Sequence, residues 1–337
     1  MLTAAELSVL LVYGNDPAWD SEDREESDRE SRRLACAMRR QGHSVSLVSV
    51  CDADLPKALS AYEPSGVLVF NWCEGLPGVH HSEALVAETL EKLRFTYTGA
   101  SARTLRLCYD KGRVKKRLQS LGIPTPRWKL LSALEAGAWD GFPAIVKPAS
   151  EHCSMGVDEG AVVSDAAELQ ERVAYVLDTF RQPALVEDFI DGREFHVALW
   201  GNQHLEMLPP VEMDFSCFDD IHQRLCSHDA KFAPDSEAYQ KIKSYVPARL
   251  TADELAQLEA VSKAAYRALD CRDYGRIDVR LREGVFYVLD INPNADISAD
   301  ASLAMAAGKA GYCYGRFGSR VLDLAAQRHP QNPPPHQ

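Results

Sequence analysis

Short apolar runs alternate with amphipathic segments over the first hundred residues of the chain. The runs Ser8–Tyr13, Ser44–Val50 and Gly66–Phe70 are rich in Val and Leu. Helical spacing of apolar residues fills Glu26–Gln41 between the first two runs and Ser82–Leu93 after the third. This alternation predicts a parallel sheet with helices packed on its faces. Because no G-x-G-x-x-G sequence follows the first run, the pattern does not indicate a dinucleotide site.

The rest of the chain mixes helical segments with strands that are bounded by Gly and Pro. From Asp214 to Arg249 the periodicity fades, and such a long irregular segment is usually functional, so we expect a lid over a ligand. The tail 329–337 is rich in Pro, Gln and Asn, and we expect it to be disordered. Helices are predicted at Asp110–Leu121, Ala166–Phe180, Ala252–Leu269, Ser302–Ala310 and Tyr314–Ala326, and strands at Phe142–Pro148, Gly160–Val163, Pro183–Ile190 and Glu194–Trp200.

The segment Gly275–Asn292 has the alternation of a β-hairpin. Its sequence at 282–284, Arg-Glu-Gly, predicts a three-residue turn with Gly at the last position. Such a turn pairs Leu281 with Val285 and brings Arg276 opposite Asp290. The odd-numbered positions then share one apolar face, and a slip of one residue would move charges into the core. The opposite face gathers Arg276, Asp278, Asp290 and Asn292.

Two carboxylates and an amide oxygen on one sheet face suit Mg²⁺, a hard cation that prefers oxygen ligands and phosphate. We therefore predict that Asp278, Asp290 and Asn292 hold magnesium, and a second ion would bridge neighbouring phosphate oxygens. Arg276 would stabilise a phosphate or an oxyanion beside them. A solvent-facing sheet with mixed charges explains the same pattern equally well, so the hairpin alone leaves both interpretations open.

Composition narrows the class of protein. The 337 residues favour two or three domains, and the shares of 46% hydrophobic and 26% charged residues are ordinary for a globular protein. The net charge of −12 argues against nucleic acid or an anionic membrane as the main partner, although local Lys and Arg can still bind ATP. No apolar run reaches the ~18 residues of a membrane span, and no signal peptide is evident.

Cysteine usage points to a reducing compartment. The chain has nine cysteines, an odd number, and no C-x-x-C pair. Reduced thiols in a cytoplasmic protein explain this best. No Cys or His spacing repeats in the manner of zinc ligands, which argues against a zinc site.

Seven short motifs follow one another along the chain in the order, and at spacings compatible with those, of one known family. With them, the chain resembles the ATP-grasp superfamily and, within it, the D-alanine–D-alanine ligase-like branch, from about Gly66 to Ala326. The motifs are Phe95-Thr-Tyr-Thr-Gly99, Asp110-Lys111, Gly122-Ile-Pro-Thr-Pro126, Ile145-Val-Lys147-Pro148, Val186-Glu187, Gly192-Arg-Glu194-Phe195 and Gly275-Arg-Ile-Asp278.

The resemblance implies a fold of mixed α/β and α+β class, an ATP-grasp fold with an N-terminal Rossmann-like parallel-sheet domain. The N-terminal domain would span 1–108, the central ATP-grasp lobe 109–190, and the C-terminal lobe with the magnesium site 191–328. ATP would lie between the two lobes.

The resemblance also assigns nucleotide ligands by position. Lys111 and Lys147 match the phosphate-binding lysines, and a lysine on an apolar strand rarely lacks an anionic partner. The remaining assignments are Glu187 to the adenine amino group, Asp188 and Ile190 to adenine through their backbones, Phe189 to packing near the ring, and Glu194 to the ribose.

Two mobile parts of the family site have counterparts here. The segment 150–157, with Ser154, resembles the loop that closes over the phosphates with its N–H groups. Lys231 resembles the lid lysine that reaches the γ-phosphate. The implied reaction forms an acyl phosphate and ADP from a substrate carboxylate, and an amine then attacks while Arg276 stabilises the oxyanion.

Departures from the family pattern fall in the substrate-facing segments. These segments are 14–19, 71–75 and 293–298, the last of which replaces the usual run after the metal-binding Asn. A separate departure lies in the predicted metal site, where Asp290 stands in place of the usual Glu. We therefore expect an ADP-forming carboxylate–amine ligase that uses ATP and Mg²⁺, two ions in all, on an amino acid or small peptide-like substrate other than two D-alanines. The predicted substrate contacts are Glu74, Asp296 and Ser298.

Other readings stay open. An ATP-binding protein without ligase activity fits the altered loop and Asp290, and a carboxylate kinase would stop at the acyl phosphate. We expect small-molecule partners rather than nucleic acid or membrane, with a homodimer as one option for the oligomeric state.

Overall fold

The computed structural model describes residues 7–135, 137, 139–152, 154–227, 230, 233 and 235–331. Within these residues, the strands form three sheets with four, four and six strands. No helix among the described residues is both long enough and apolar enough to cross a membrane.

The first sheet is parallel, as the apolar runs predict. Its strands follow the order β2-β1-β3-β4, and β1 pairs with β2 on one side and β3 on the other. The bounds are β1 Ser8–Gly14, α1 Ser21–Arg39, β2 Val45–Val50, α2 Leu55–Leu59, β3 Val67–Trp72, α3 Glu83–Lys92, β4 Thr96–Tyr97 and α4 Ala102–Tyr109.

Helix α1 begins five residues before the predicted start at Glu26. The side chain of Asp20 accepts a hydrogen bond from the backbone N–H of Asp23 and so caps the helix. Glu22 and Asp23 lie in the first turn, where negative charge favours the helix dipole. Short β4 and α4 were not predicted, because two and eight residues carry little periodic signal.

The second sheet is antiparallel in the order β5-β8-β6-β7, with α6 packed on one face. Buried Val173 and Val176 of α6 join Val146 and Val186 of the sheet in one apolar cluster. The predicted helix Ala166–Phe180 is confirmed at both ends. The bounds are α5 Lys111–Ser120, β5 Trp128–Leu131, β6 Ala144–Pro148, β7 Val162–Val163, α6 Ala166–Phe180 and β8 Ala184–Asp188.

The third sheet follows the order β12-β11-β9-β13-β14, and β10 pairs with β9. Part of the irregular segment 214–249 is ordered as one short helix and an edge strand. The bounds are β9 Arg193–Gly201, β10 Leu205–Met207, β11 Val211–Asp214, α7 Glu237–Lys241, β12 Lys243–Tyr245, α8 Ala252–Ala268, β13 Tyr274–Arg282, β14 Val285–Asn292, α9 Ser302–Lys309 and α10 Tyr314–Ala326.

The predicted register of the β13–β14 hairpin was wrong. Arg282 pairs with Val285, so the turn has two residues, Glu283 and Gly284, rather than three. Both have positive φ, 52° and 77°, as the two-residue turn that matches strand twist requires. As a result Phe286 and Val288, not the odd-numbered positions, enter the core in the first half of β14.

A β-bulge restores the polar face that the sequence predicts. The register shifts between Asp278 and Val279, which leaves Leu289 as the extra residue of β14. Beyond the bulge Asp278 pairs with Asp290, and Arg276 pairs with Asn292 instead of Asp290. The four polar residues therefore still share one face, although their partners differ from the prediction.

Candidate functional site

A cleft of about 550 Å³ lies where the second and third sheets meet residues of the N-terminal part. This volume is in the range of small-molecule sites. Ser298 does not line the cleft but donates a hydrogen bond from its Oγ to Asp296 Oδ1 at 2.7 Å, and Lys231 lies outside the described residues. The predicted site residues that line it are Lys111, Lys147, Ser154, Glu187, Asp188, Phe189, Ile190, Glu194, Arg276, Asp278, Asp290, Asn292, Glu74 and Asp296.

Lys147 extends from β6 toward a buried carboxylate on β8. Its Nζ lies 2.6 Å from Oε2 of Glu187, which is 1% exposed. Burial disfavours the charged ammonium, but Glu187 and Asp290 outweigh it and raise the pKa of Lys147. Lys147 is therefore charged at neutral pH and suited to an anionic group in the cleft.

Lys115 on α5 is a buried residue behind the cleft that the sequence-based prediction missed. Its Nζ lies 2.6 Å from the other oxygen of Glu187 and donates to the carbonyl of Leu289 at 2.8 Å. Lys115 thus joins the β14 bulge to Glu187, and through Glu187 to Lys147. The i,i+4 spacing from Lys111 was the available signal, but a lysine on a helix reads as solvated unless the burial of that face is known.

Lys111 is the first residue of α5, where Asp110 caps the helix by accepting from Arg113 N–H. Its Nζ lies 3.6 Å from Asp290 Oδ2 and donates to the carbonyl of Glu151. Burial would raise the pKa of Asp290, but Lys111 and Lys147 lower it well below its usual range. Asp290 is therefore ionised, as a magnesium ligand must be.

Arg276, Asp278 and Asn292 form one hydrogen-bonded group at the end of the hairpin. Arg276 donates to both carboxylate oxygens of Asp278, at 2.7 and 3.0 Å, and the Asn292 amide nitrogen donates to Asp278 at 3.1 Å. The atoms of this group that could bind a cation are its carboxylate and amide oxygens. This chemistry fits Mg²⁺, and the adjacent lysines fit the phosphates that accompany it.

Glu194 on β9 is held by a second arginine that the sequence-based site did not include. Arg280 Nε donates to Glu194 Oε2 at 2.7 Å, and its guanidinium lies 4.8 Å from the ring centroid of Phe189. Burial would raise the pKa of Glu194, but Arg280 and His196 lower it well below the usual range. Arg280 faces the same side as Asp278 in the β13 alternation, which was the missed signal.

The segment 150–157 is tied to the end of α6. Ser150 N–H donates to Gln182 Oε1 at 2.6 Å, and Gln182 Nε2 donates to Glu151 Oε1 at 2.7 Å. A Cβ on Gly156 would lie 2.7 Å from atoms of Phe180 and Pro148, and its φ is +71°, so the close packing requires glycine. Cys153 of this segment lies outside the described residues.

The far end of the cleft is acidic. Glu74 is exposed to the cleft, where loss of solvent around its carboxyl group and the nearby charge of Asp296 raise its pKa. Burial raises the pKa of Glu83 to about 7, against the effect of Asn294, whose Nδ2 donates to Glu83 Oε1 at 2.8 Å. Carboxylates at this end suit a substrate ammonium group. Glu83 was not predicted, because it is the first residue of α3, where an acidic side chain is ordinary.

Comparisons with known proteins match this chain to a family model and to a relative of similar length. A family model described as D-ala D-ala ligase C-terminus matches residues 118–323. A relative from Sinorhizobium fredii (strain NBRC 101917 / NGR234), called uncharacterized protein y4sG, is 34% identical over 306 residues, which cover 88% of this chain and 87% of the relative.

Two solved structures share the fold. They are crystal structures of D-alanine–D-alanine ligase from Bacillus anthracis, one of them complexed with ATP, with TM-scores of 0.74 for the complex and 0.75 for the other. Each is 21% identical to this chain, and the match covers 96% of this chain and 99% of the ligase.

Proposed function

The chain belongs to the D-alanine–D-alanine ligase family of the ATP-grasp superfamily, and from this premise we propose that it joins an amino acid or small peptide-like carboxylate to an amine, with release of ADP. The supporting observation is that Lys111, Lys147, Asp278, Asp290 and Arg276 converge in one cleft. A solvated sheet face would place its charges in water, whereas here Lys111 and Arg276 are largely buried.

Each group in the cleft has a role that follows from its charge. Bound ATP would supply the phosphoryl group that activates the substrate carboxylate as an acyl phosphate, with magnesium, in two ions, offsetting its negative charge. Lys111 and Lys147 hold the phosphates, and Asp278, Asp290 and Asn292 hold the metal. Arg276 is fixed by two bonds to Asp278, so its position is set before an oxyanion forms beside it.

The nucleotide would lie against β8 and β9. Glu187 would accept from the adenine amino group, Asp188 and Ile190 would bind the base through their backbones, Phe189 would pack near the ring, and Glu194 would bind the ribose. Both oxygens of Glu187 lie 2.6 Å from a lysine ammonium, and a carboxylate oxygen has a second lone pair with which to accept from the adenine amino group. Ser154 and Lys231 would close over the phosphates.

The substrate proposal rests on the acidic end of the cleft. Glu74 and Asp296 lie near each other there, and Ser298 orients Asp296 through its hydroxyl. We expect Glu74 and Asp296 to bind the ammonium group of an amino-acid-like substrate. The altered residues 293–298 favour a substrate pair other than two D-alanines.

A screen of amino acids and small peptides, singly and in pairs, tests the proposal. With ATP and Mg²⁺ present, the ligase should release ADP only when a substrate pair is added and should yield a new amide mass. Trapping by hydroxylamine without an amide product would instead identify a carboxylate kinase. Absence of stimulation by every pair would favour the ATP-binding protein without ligase activity.

The variant Asp290→Asn tests the proposed magnesium site. The amide keeps the shape of the side chain but removes the charge that magnesium needs, so turnover should fall by roughly a hundredfold or more. Asp178→Asn, on the exposed face of α6, is the control and should leave ADP release unchanged. Full activity in Asp290→Asn with a normal melting temperature would place the metal site elsewhere.

A further inference from the structure

Three side chains of different chemistry converge in the cleft beside the magnesium residues. Glu194, His196 and Cys226 each offer a ligand atom, and these atoms lie within 4.8 Å of one another. Glu194 and His196 are 5% and 6% exposed, and Cys226 is partly buried. Buried oxygen, nitrogen and sulfur donors at such separations are the ligand set of a transition metal rather than of magnesium.

The fold places the three ligands from two separate segments. Glu194 and His196 are two residues apart on β9, so their side chains share one face of the sheet. Cys226 follows the turn at 221–223. Ser154 holds its backbone, since the Ser154 Oγ donates to the Cys226 carbonyl at 2.9 Å. Two residues earlier, the carbonyl of Arg224 accepts a hydrogen bond from Arg280.

We propose that Glu194, His196 and Cys226 bind a zinc-like divalent ion when the cleft holds no nucleotide. Three protein ligands would leave a fourth position for water, the arrangement of an open zinc site. The thiol discriminates against Mg²⁺ and Ca²⁺, which prefer oxygen ligands alone.

The surrounding charges determine how each ligand would act. Arg280 holds Oε2 of Glu194 at 2.7 Å, which fixes the carboxylate and leaves Oε1 on the side of His196 Nε2, 3.5 Å away. The metal would take Oε1 of Glu194, a ring nitrogen of His196 and the thiolate of Cys226. The thiol proton is released to solvent on binding, so the carboxylate and thiolate together balance the two charges of the ion.

Metal and nucleotide would exclude each other at this site. Glu194 is also the proposed ribose ligand, and Ser154 beside Cys226 belongs to the proposed phosphate loop. This part of the inference rests on the proposed function. Because competition is reciprocal, each ligand should weaken the other by the same factor.

Cobalt(II) is the probe for the first test, because its spectrum reports thiolate coordination directly. The full-length protein, freed of metal and nucleotide, is titrated with CoCl₂ in the absence of magnesium. One equivalent should produce a thiolate-to-cobalt charge-transfer band, and ZnCl₂ should remove it. Cys226→Ser should abolish the band, whereas Cys217→Ser, at an exposed cysteine outside the triad, should retain it.

His196→Gln is the second variant, since it leaves the thiol in place. It should weaken cobalt binding roughly tenfold or more. Thermal melting of each metal-free variant shows whether it is folded. No charge-transfer band in the native protein, or a band that survives Cys226→Ser, overturns the proposal, as does unchanged affinity in His196→Gln.

A third measurement separates this inference from the proposed function. Affinity for ADP is measured on the metal-free protein with magnesium, and ADP is then added to the cobalt-loaded protein. Loss of the band on addition of ADP supports mutual exclusion, and a band that persists with ADP bound overturns it. Failure of the metal-free protein to bind ADP would instead defeat the proposed function, while the cobalt band would still stand for the triad.

Discussion

Glu187 shows how much one residue in this cleft depends on its neighbours. It lies on β8 with 1% exposure and is paired with Lys115 and Lys147, one on each oxygen. A single buried carboxylate between two ammonium groups is strongly favoured to stay ionised, and it positions both lysines. Of the two, Lys147 borders the cleft and is the one available to a ligand phosphate.

Lys147→Ala tests that assignment. We expect affinity for ADP or ATP to fall roughly tenfold to a hundredfold, the loss of one charge-assisted hydrogen bond. Glu187 keeps Lys115 as a partner, so the variant should remain folded. Isothermal titration calorimetry gives the affinity, with Lys129→Ala, on the edge strand β5 of the same sheet, as control. Equal affinity in both variants would remove Lys147 from the phosphate site.

Glu83 predicts a pH dependence of stability. Its pKa rises from 4.5 to about 7 on folding because burial disfavours the charge. Its contribution to the free energy of unfolding is therefore complete below about pH 4.5 and is lost as the pH rises to about 7. Glu83→Gln has no carboxyl group to ionise and should not lose this stability. Between pH 5 and 8 its free energy of unfolding should therefore rise relative to that of the native protein by on the order of 2 kcal/mol, a value that allows for partial exposure.

Urea unfolding at a series of pH values measures the difference, and Asn294 can still donate to the new amide oxygen. Glu63→Gln, at an exposed position, should show a difference from the native protein that does not vary with pH. A constant difference for Glu83→Gln as well would mean that Glu83 titrates normally in the folded protein.

At the scale of elements, the β13–β14 hairpin depends on its turn. The two-residue turn at Glu283 and Gly284 sets the register near the loop, and the bulge at Leu289 resets it before Asp290. Each change moves the chain by one position, so the two together return the predicted metal-binding face to the cleft. The site is thus built by two irregularities that compensate each other.

Substitutions in the turn should change stability in opposite directions. Gly284→Ala should lower the free energy of unfolding by about 1 kcal/mol, because φ of 77° strains a Cβ even though no atom lies within 4 Å of it. Glu283→Asn should raise it by roughly 0.5 kcal/mol, since Asn-Gly suits this turn. Urea denaturation provides both values. Destabilisation by Glu283→Asn would contradict the two-residue turn.

At the scale of the whole molecule, one buried carboxylate connects distant parts of the chain. Asp273 is fully buried and precedes β13. Its Oδ2 accepts from Gly99 N–H at 2.9 Å, and both oxygens accept from Arg328, at 2.5 and 2.7 Å. Arg328 also donates to the carbonyl of Tyr97. The end of the parallel sheet, the hairpin that carries the site and the C-terminal segment are therefore held at one point.

Asp273→Asn should cost about 3 kcal/mol of unfolding free energy, because it leaves a largely buried guanidinium without its counter-charge. The value should be at the low end for a buried pair, since the Arg328 side chain is 29% exposed. Asp270→Asn, exposed and three residues earlier, is the control and should change stability by less than about 0.5 kcal/mol. Equal stabilities of the two variants would show that the junction contributes little.

Periodicity alone predicted the parallel sheet, the helix Ala166–Phe180 and the polar face of the hairpin, because alternation in sequence is a direct record of which face is buried. Short motifs predicted the family and its ATP-grasp fold. Domain bounds and the roles of single site residues stay predictions. The register of the hairpin could not be predicted from the sequence. A three-residue turn without a bulge and a two-residue turn with a bulge place the same charged residues on one face.

What the sequence determined by itself is the chemistry near each residue, since apolar spacing and motif order are local properties of the chain. What only the tertiary structure decided is which distant groups meet. Lys115 reaches Glu187, Arg280 holds Glu194, and Cys226 approaches His196 because separate strands and turns pack at one cleft. Contacts between residues that lie tens to hundreds of positions apart produce no periodic pattern in the sequence. Only the folded structure therefore shows which distant residues stabilise one another.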